Sequence, residues 1–212
     1  MLGLCALIVA VAMVSVGSTF ALFDPQPNFE TNIVVIGDVA IELNDEYYEE
    51  QPDYDPDDPE KNYNEDNPPE FSPDIDVTKY VSVTNIGNNP CYVRVLMRRI
   101  WKDNNDQDIS DKISYTINSD FWYKGDDYEI GGVEYECYYY KLPLAPGVRA
   151  ENLIEKFHIG DFDSATAGGS TGDINVLAHA VQSENITPST SADSPIVKNS
   201  AGMIIKWNIT IE

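Results

Sequence analysis

From residue 36 onward, apolar and polar side chains alternate along much of the chain with a period of two. Val39, Ile41 and Leu43 alternate with Asp38, Ala40 and Glu42, and Val81 and Val83 flank Ser82. Between residues 91 and 98, Cys91, Val93, Val95 and Met97 project one way and Tyr92, Arg94, Leu96 and Arg98 the other. The rhythm returns in Ile113, Tyr115 and Ile117, and again in Val133, Tyr135, Cys137 and Tyr139. It closes with Ile174, Val176, Ala178 and Ala180, then Ile205, Trp207, Ile209 and Ile211. Runs of this period rich in Val, Ile and Tyr, separated by Gly, Asn and Pro, predict antiparallel strands. Residues 84–90, "TNIGNNP", predict a turn, because Gly and Asn tolerate positive φ and Pro90 has no N–H to give a ladder. Only "APGVRAENLIEKFHI", 145–159, suggests a short helix. The expected fold is all-β, a jelly-roll-like antiparallel β-sandwich.

The N-terminal residues break this rhythm. No charged side chain precedes Asp24, and Leu2–Val14 is almost continuously apolar. A helix of the full uncharged length could span the ~30 Å of a bilayer core. The strongly apolar part, however, has the length of a signal-peptide core and leads into the A-x-A-like Thr19-Phe20-Ala21. The expectation is a signal helix over 1–21, cut between Ala21 and Leu22, with an uncleaved anchor as the alternative. Cleavage leaves 22–212 as one secreted β-sandwich domain that meets the membrane only during export. The usual basic start of such a signal is missing, since the first Lys or Arg is Lys61.

Charge changes the picture next. The chain carries a formal charge of −23, which argues against nucleic acid and anionic lipid as partners. Residues 45–76 hold fourteen carboxylates against the single Lys61, with six prolines that oppose regular structure. Self-repulsion and scarce apolar surface predict a long, extended acidic insert between two strands. Within it, "DYDPDD", 53–58, has the alternate carboxylates of a calcium loop. An EF-hand needs Gly at its sixth position and Glu at its twelfth, where this chain has Asp58 and Asn64. Weak calcium binding is the most the insert suggests, and no other cofactor is expected.

Candidate chemistry is sparse. Cys91 and Cys137 form an even pair in an exported chain and are a candidate disulfide. His158 and His179 lack the spacing of a zinc pair, and His179 reads as a strand-surface residue opposite Ala178 and Ala180. No nucleophile elbow, zinc-protease motif or phosphate loop is present, so no catalytic residue is assigned. The stretch 121–147 is dense in aromatics, and alternation places Tyr138 and Tyr140 on the face opposite Tyr135 and Tyr139. Such tyrosines are first a cross-strand ladder and second a candidate binding face for a partner or polysaccharide.

Taken in order, these motifs resemble a family. "TFALFD" (19–24), Phe29 and "IGDVAIEL" (36–43) are similar to the start of bacterial exported proteins processed by a SipW-type signal peptidase. That group includes the biofilm matrix protein TasA and camelysin. "VTKYVSVTNIGNNPCYVRVLM" (77–97), Trp122, "YYYKLPLAPG" (138–147) and "INVLAHAVQ" (174–182) resemble its later signatures in the expected sequence. The resemblance implies a jelly roll, export, and assembly of an extracellular fibre by donor-strand exchange with other copies of the chain. The partners it implies are the chain itself, a SipW-like signal peptidase and other matrix components. Leu22–Asn32 match the donor segment by position, with Leu22, Phe23 and Phe29 its large apolar residues and Ile33 just beyond it. Pro25 and Pro27 weaken that ladder, because each removes a donor. A monomeric cell-surface binding module is the alternative, and a camelysin-like metalloprotease a more distant one, since no residues transfer as its ligands.

Overall fold

A computed structural model describes residues 32–47, 73–163, 167, 172–184 and 186–209. Twelve described strands run β1 (Asn32–Ile36), β2 (Ile41–Tyr47), β3 (Ile75–Asn85), β4 (Cys91–Trp101), β5 (Ile113–Tyr115) and β6 (Trp122–Lys124). They continue as β7 (Tyr128–Ile130), β8 (Val133–Tyr140), β9 (Ile154–Ile159), β10 (Gly172–Gln182), β11 (Ile196–Lys198) and β12 (Ile204–Trp207). The fold is all-β. One sheet has the order β1-β10-β4-β8-β6, with β7 paired to β8, a second has the order β2-β3-β9-β5, and β11 and β12 pair as a two-stranded third. The first sheet is mixed, because β1 joins β10 in parallel, and the second is antiparallel throughout. The residues between β3 and β4 form the predicted turn, tied by Asn85, whose Nδ2 donates to the carbonyls of Asn89 and Leu144 at 2.9 Å each.

Alternation explains the principal core. Val93, Val95 and Met97 of β4 and Ile174, Val176, Ala178 and Ala180 of β10 cluster with Val77, Val81 and Val83 of β3 and Phe157 and Ile159 of β9. Trp101 and Trp122 join the same cluster and are almost wholly enclosed. The strand period of two predicts these inward faces. It does not predict that the opposite faces of β4, β8 and β10 are covered as well. There Tyr92, Leu96, Cys137, Tyr139, Leu177 and Val181 form a second cluster with Ile196, Ile204 and Trp207 of the β11–β12 hairpin. The molecule is therefore layered three deep at this point.

Two expectations need correction. Residues 145–159 contain no helix, since their second half is β9. Phe157 pairs with Val77 on one side and Tyr115 on the other, and Ile159 with Ile75 and Ile113. A central ladder with two apolar partners outweighs weak local helix preference. The ends of the acidic insert also belong to the sheet. Asp45 lies on β2 and pairs at 2.5 Å with the buried Lys79, and Asp76 lies on β3. The hairpin register of β2 and β3 makes the insert a connection between neighbouring strands. Residues 48–72, including the calcium-like stretch, lie outside the described residues.

Candidate functional site

Among the described residues, the outer edge of the five-strand path is β1. Its ladder to β10 runs from Asn32 opposite Leu177 to Ile36 opposite Val181, and it ends the strand order. Ile33 and Val35 are each 40% exposed, while Ile36 packs on the second core. An edge strand presents N–H and C=O groups without a ladder partner on its free side. The chain leaves β1 through Gly37, at φ +91°, where the amide of Asp38 donates to Gln182 Oε1 at 3.0 Å. Of the expected donor residues, Ile33 lies on β1, and Leu22, Phe23 and Phe29 lie outside the described residues, as do Ala21 and the whole signal segment. No described helix is long and apolar enough to cross a membrane.

The tyrosine face turns inward. Tyr138 is 2% exposed within the core shared by the two sheets, opposite Val95, and Tyr140 packs edge-on against Trp122 at 5.1 Å between ring centres. Neither offers the open platform expected from the alternation, because both lie on the face that meets the other sheet. The most exposed aromatic rings nearby are Phe121 and Tyr123.

The cysteines do not pair. Cys91 and Cys137 are both free and buried, Cys91 in the principal core and Cys137 in the second. Cys137 faces Leu96, five residues along β4 from Cys91. An odd separation turns the two side chains to opposite faces, and five residues of strand separate them by ~16 Å. Burial pushes the Cys91 thiol up to about 11 and raises that of Cys137 as well.

The densest polar constellation closes the gap between β5 and β8, and it centres on Glu136. Its Oε1 lies 2.8 Å from Lys124 Nζ and 3.5 Å from Arg99 Nη2, while Tyr138 donates to Oε2 at 3.1 Å. Tyr115 also donates its hydroxyl to Oε2, and Arg99 Nη1 donates to the Ile113 carbonyl at 3.1 Å. Burial disfavours the charged Glu136 carboxylate, but the Lys124 and Tyr115 hydrogen bonds and the two cations outweigh it and hold its pKa down. A cleft of about 230 Å³ opens beside these residues, and a larger one of about 510 Å³ adjoins it across Tyr115 and Ser114. The larger cleft runs along β9 past Lys156 and His158, whose Nδ1 lies 3.0 Å from Asp76. Hydrogen bonds from Lys156 first and His158 next lower the pKa of Asp76. Among the described residues no group of three His, Cys, Asp or Glu side chains is placed to hold a metal ion.

His179 is buried, not a surface residue, because the β11–β12 layer covers its face. Its Nδ1 accepts from Arg94 Nε at 3.1 Å, which places the imidazole proton on Nε2. Burial and the Arg94 charge push its pKa down to about 3. Sequence reasoning missed both polar groups. A signal existed in each case: Arg94 interrupts an apolar strand from Tyr92 to Met97, and Glu136 sits between Tyr135 and Cys137. Comparison with known protein families, curated proteins and solved structures finds no match for this chain.

Proposed function

We propose that the chain is an exported structural protein, a subunit of extracellular matrix or cell-surface fibres joined through its N-terminal segment. The observation that carries this reading is β1: a short apolar edge strand, parallel to β10, at the N-terminal end of the domain and followed by Gly37. The same ladder forms whether the strand comes from its own chain or from a neighbour, so exchanging it between copies adds little cost. Because the giving strand and the receiving β10 edge are different surfaces, a one-way exchange is head-to-tail, and where its rotation does not close a ring it extends into a filament. The resemblance to SipW-processed matrix proteins supports the same assignment and supplies its fold name, a jelly roll. In support of that name, successive connections cross between the two main sheets at β1–β2, β3–β4, β4–β5, β5–β6, β8–β9 and β9–β10. Sedimentation of the chain starting at Leu22 tests the proposal: it forms large polymers, and removal of residues 22–36, which takes away β1 itself, leaves monomers. Equal polymerisation of both chains would reject strand exchange.

A further inference from the structure

Arg94 is wholly enclosed between the second core and the C-terminal hairpin. Its guanidinium lies over two aromatic rings, Tyr128 at 4.1 Å and Trp207 at 5.0 Å from Cζ to ring centre. One in-plane edge is used, since Nε donates to His179. Among the described residues the remaining edge, Nη1 and Nη2, has no hydrogen-bond partner, and Trp207 Nε1 is a further buried donor without one. Among the described residues no carboxylate forms an ion pair with Arg94. Asp126 and Asp127, whose charges reach neighbouring Cys137, are both exposed.

Buried charges in proteins are paired, and buried N–H donors find acceptors, because an enclosed cation without either is costly. The surrounding titratable groups do not provide the counter-charge. His179 is neutral with its pKa near 3, and burial keeps the protons on Cys137 and Tyr139. The two aromatic rings stabilise the cation, but they supply neither a counter-charge nor a hydrogen-bond acceptor for Nη1 and Nη2. We propose that the Nη edge of Arg94 is the base of an interior site for a small inorganic anion of chloride size. Enclosure decides between small and large ligands: Arg94, His179 and Trp207 are each 4% exposed or less, so a peptide carboxylate has no way in without displacing the hairpin. A halide ion enters by a transient opening of β11–β12, which among the described residues hydrogen-bonds to the segment after β8 through Ile204 N to Lys141 O at 3.1 Å.

Bromide is the probe, because it replaces chloride and scatters X-rays anomalously. Crystals of the full folded chain soaked in bromide should show an anomalous peak in the guanidinium plane, in contact with Nη1 and Nη2. In solution, chloride added at constant ionic strength in place of gluconate should raise the melting temperature by several degrees. Arg94→Lys keeps the positive charge while losing the two-pronged edge, and should lose both the peak and the chloride response. If Arg94→Lys does not fold, the wild-type bromide map still decides. No peak at Arg94 would overturn the site and leave water as the partner of the Nη edge. An undiminished peak in Arg94→Lys would also overturn it, because the two-pronged edge would then not be its base.

Discussion

Cys91 and Cys137 face opposite sides of one sheet, and that geometry makes them inert. Burial raises both thiols, so neither supplies thiolate near neutral pH. A maleimide should label neither cysteine in the folded chain and both in denaturant, and reductant should leave the melting temperature unchanged. His179 acts on stability from the acid side. Its folded pKa of about 3 lies below the ~6.5 of an unfolded histidine, so its contribution is present above ~6.5 and is lost as pH falls towards 3. One proton taken up on unfolding gives a slope of at most ~1.4 kcal/mol per pH unit in that window. Urea unfolding from pH 7 to 4 should show that slope, and His179→Gln should flatten it above pH 5. Glu136, with a lowered pKa, contributes in the same direction at lower pH. Replacing it with Gln leaves Arg99, Lys124 and two tyrosine hydroxyls facing a neutral amide. That change should cost about 1–3 kcal/mol at pH 7 in the same assay.

Among the elements, the inward-facing strands were legible because one face of each is apolar and the period is two. Val39, Ile41 and Leu43 are buried, and Asp38, Ala40 and Glu42 are exposed, as the alternation predicts. Where both faces are covered, alternation loses its meaning. Arg94, His179 and Tyr138 each followed the predicted side of the strand, but a neighbouring layer that no local pattern announces encloses that side. The Glu136 constellation was illegible for a related reason. Tyr115, Lys124, Arg99 and Glu136 come from four strands: the pairing of β4, β8 and β6 gathers three of them, and Tyr115 reaches Glu136 from the other sheet. At β1 the sequence signal was positional, and the structure adds its parallel pairing and the glycine that follows. A Cβ at Gly37 would lie 2.9 Å from both Cβ and Oε1 of Gln182, at a φ of +91°. Gly37→Val should therefore destabilise the domain by about 1–3 kcal/mol and loosen β1. Hydrogen exchange should show the loss first in the amides of β1 and in those of β10 that face it.

At the scale of the whole molecule, the charge of −23 and the polymer proposal pull against each other. Copies brought into contact repel unless salt screens them, over a distance of ~8–10 Å at physiological ionic strength. Fibre growth should consequently quicken as salt rises from about 10 to 150 mM, by light scattering, in contrast to an assembly held by ion pairs. Buried thiols make a sharper test available, because a cysteine introduced at the exposed Val35 becomes the only reactive one in the chain from Leu22. The most direct measurement uses fibres grown from equal amounts of isotopically heavy and light V35C chains, each carrying a photoreactive group at that cysteine. After irradiation, mass spectrometry reads which β10 each label has reached. Strand exchange predicts that about half of the position-35 to β10 cross-links join a heavy copy to a light one. Links confined to copies of the same isotope would mean that β1 stays on its own chain, and would contradict the account.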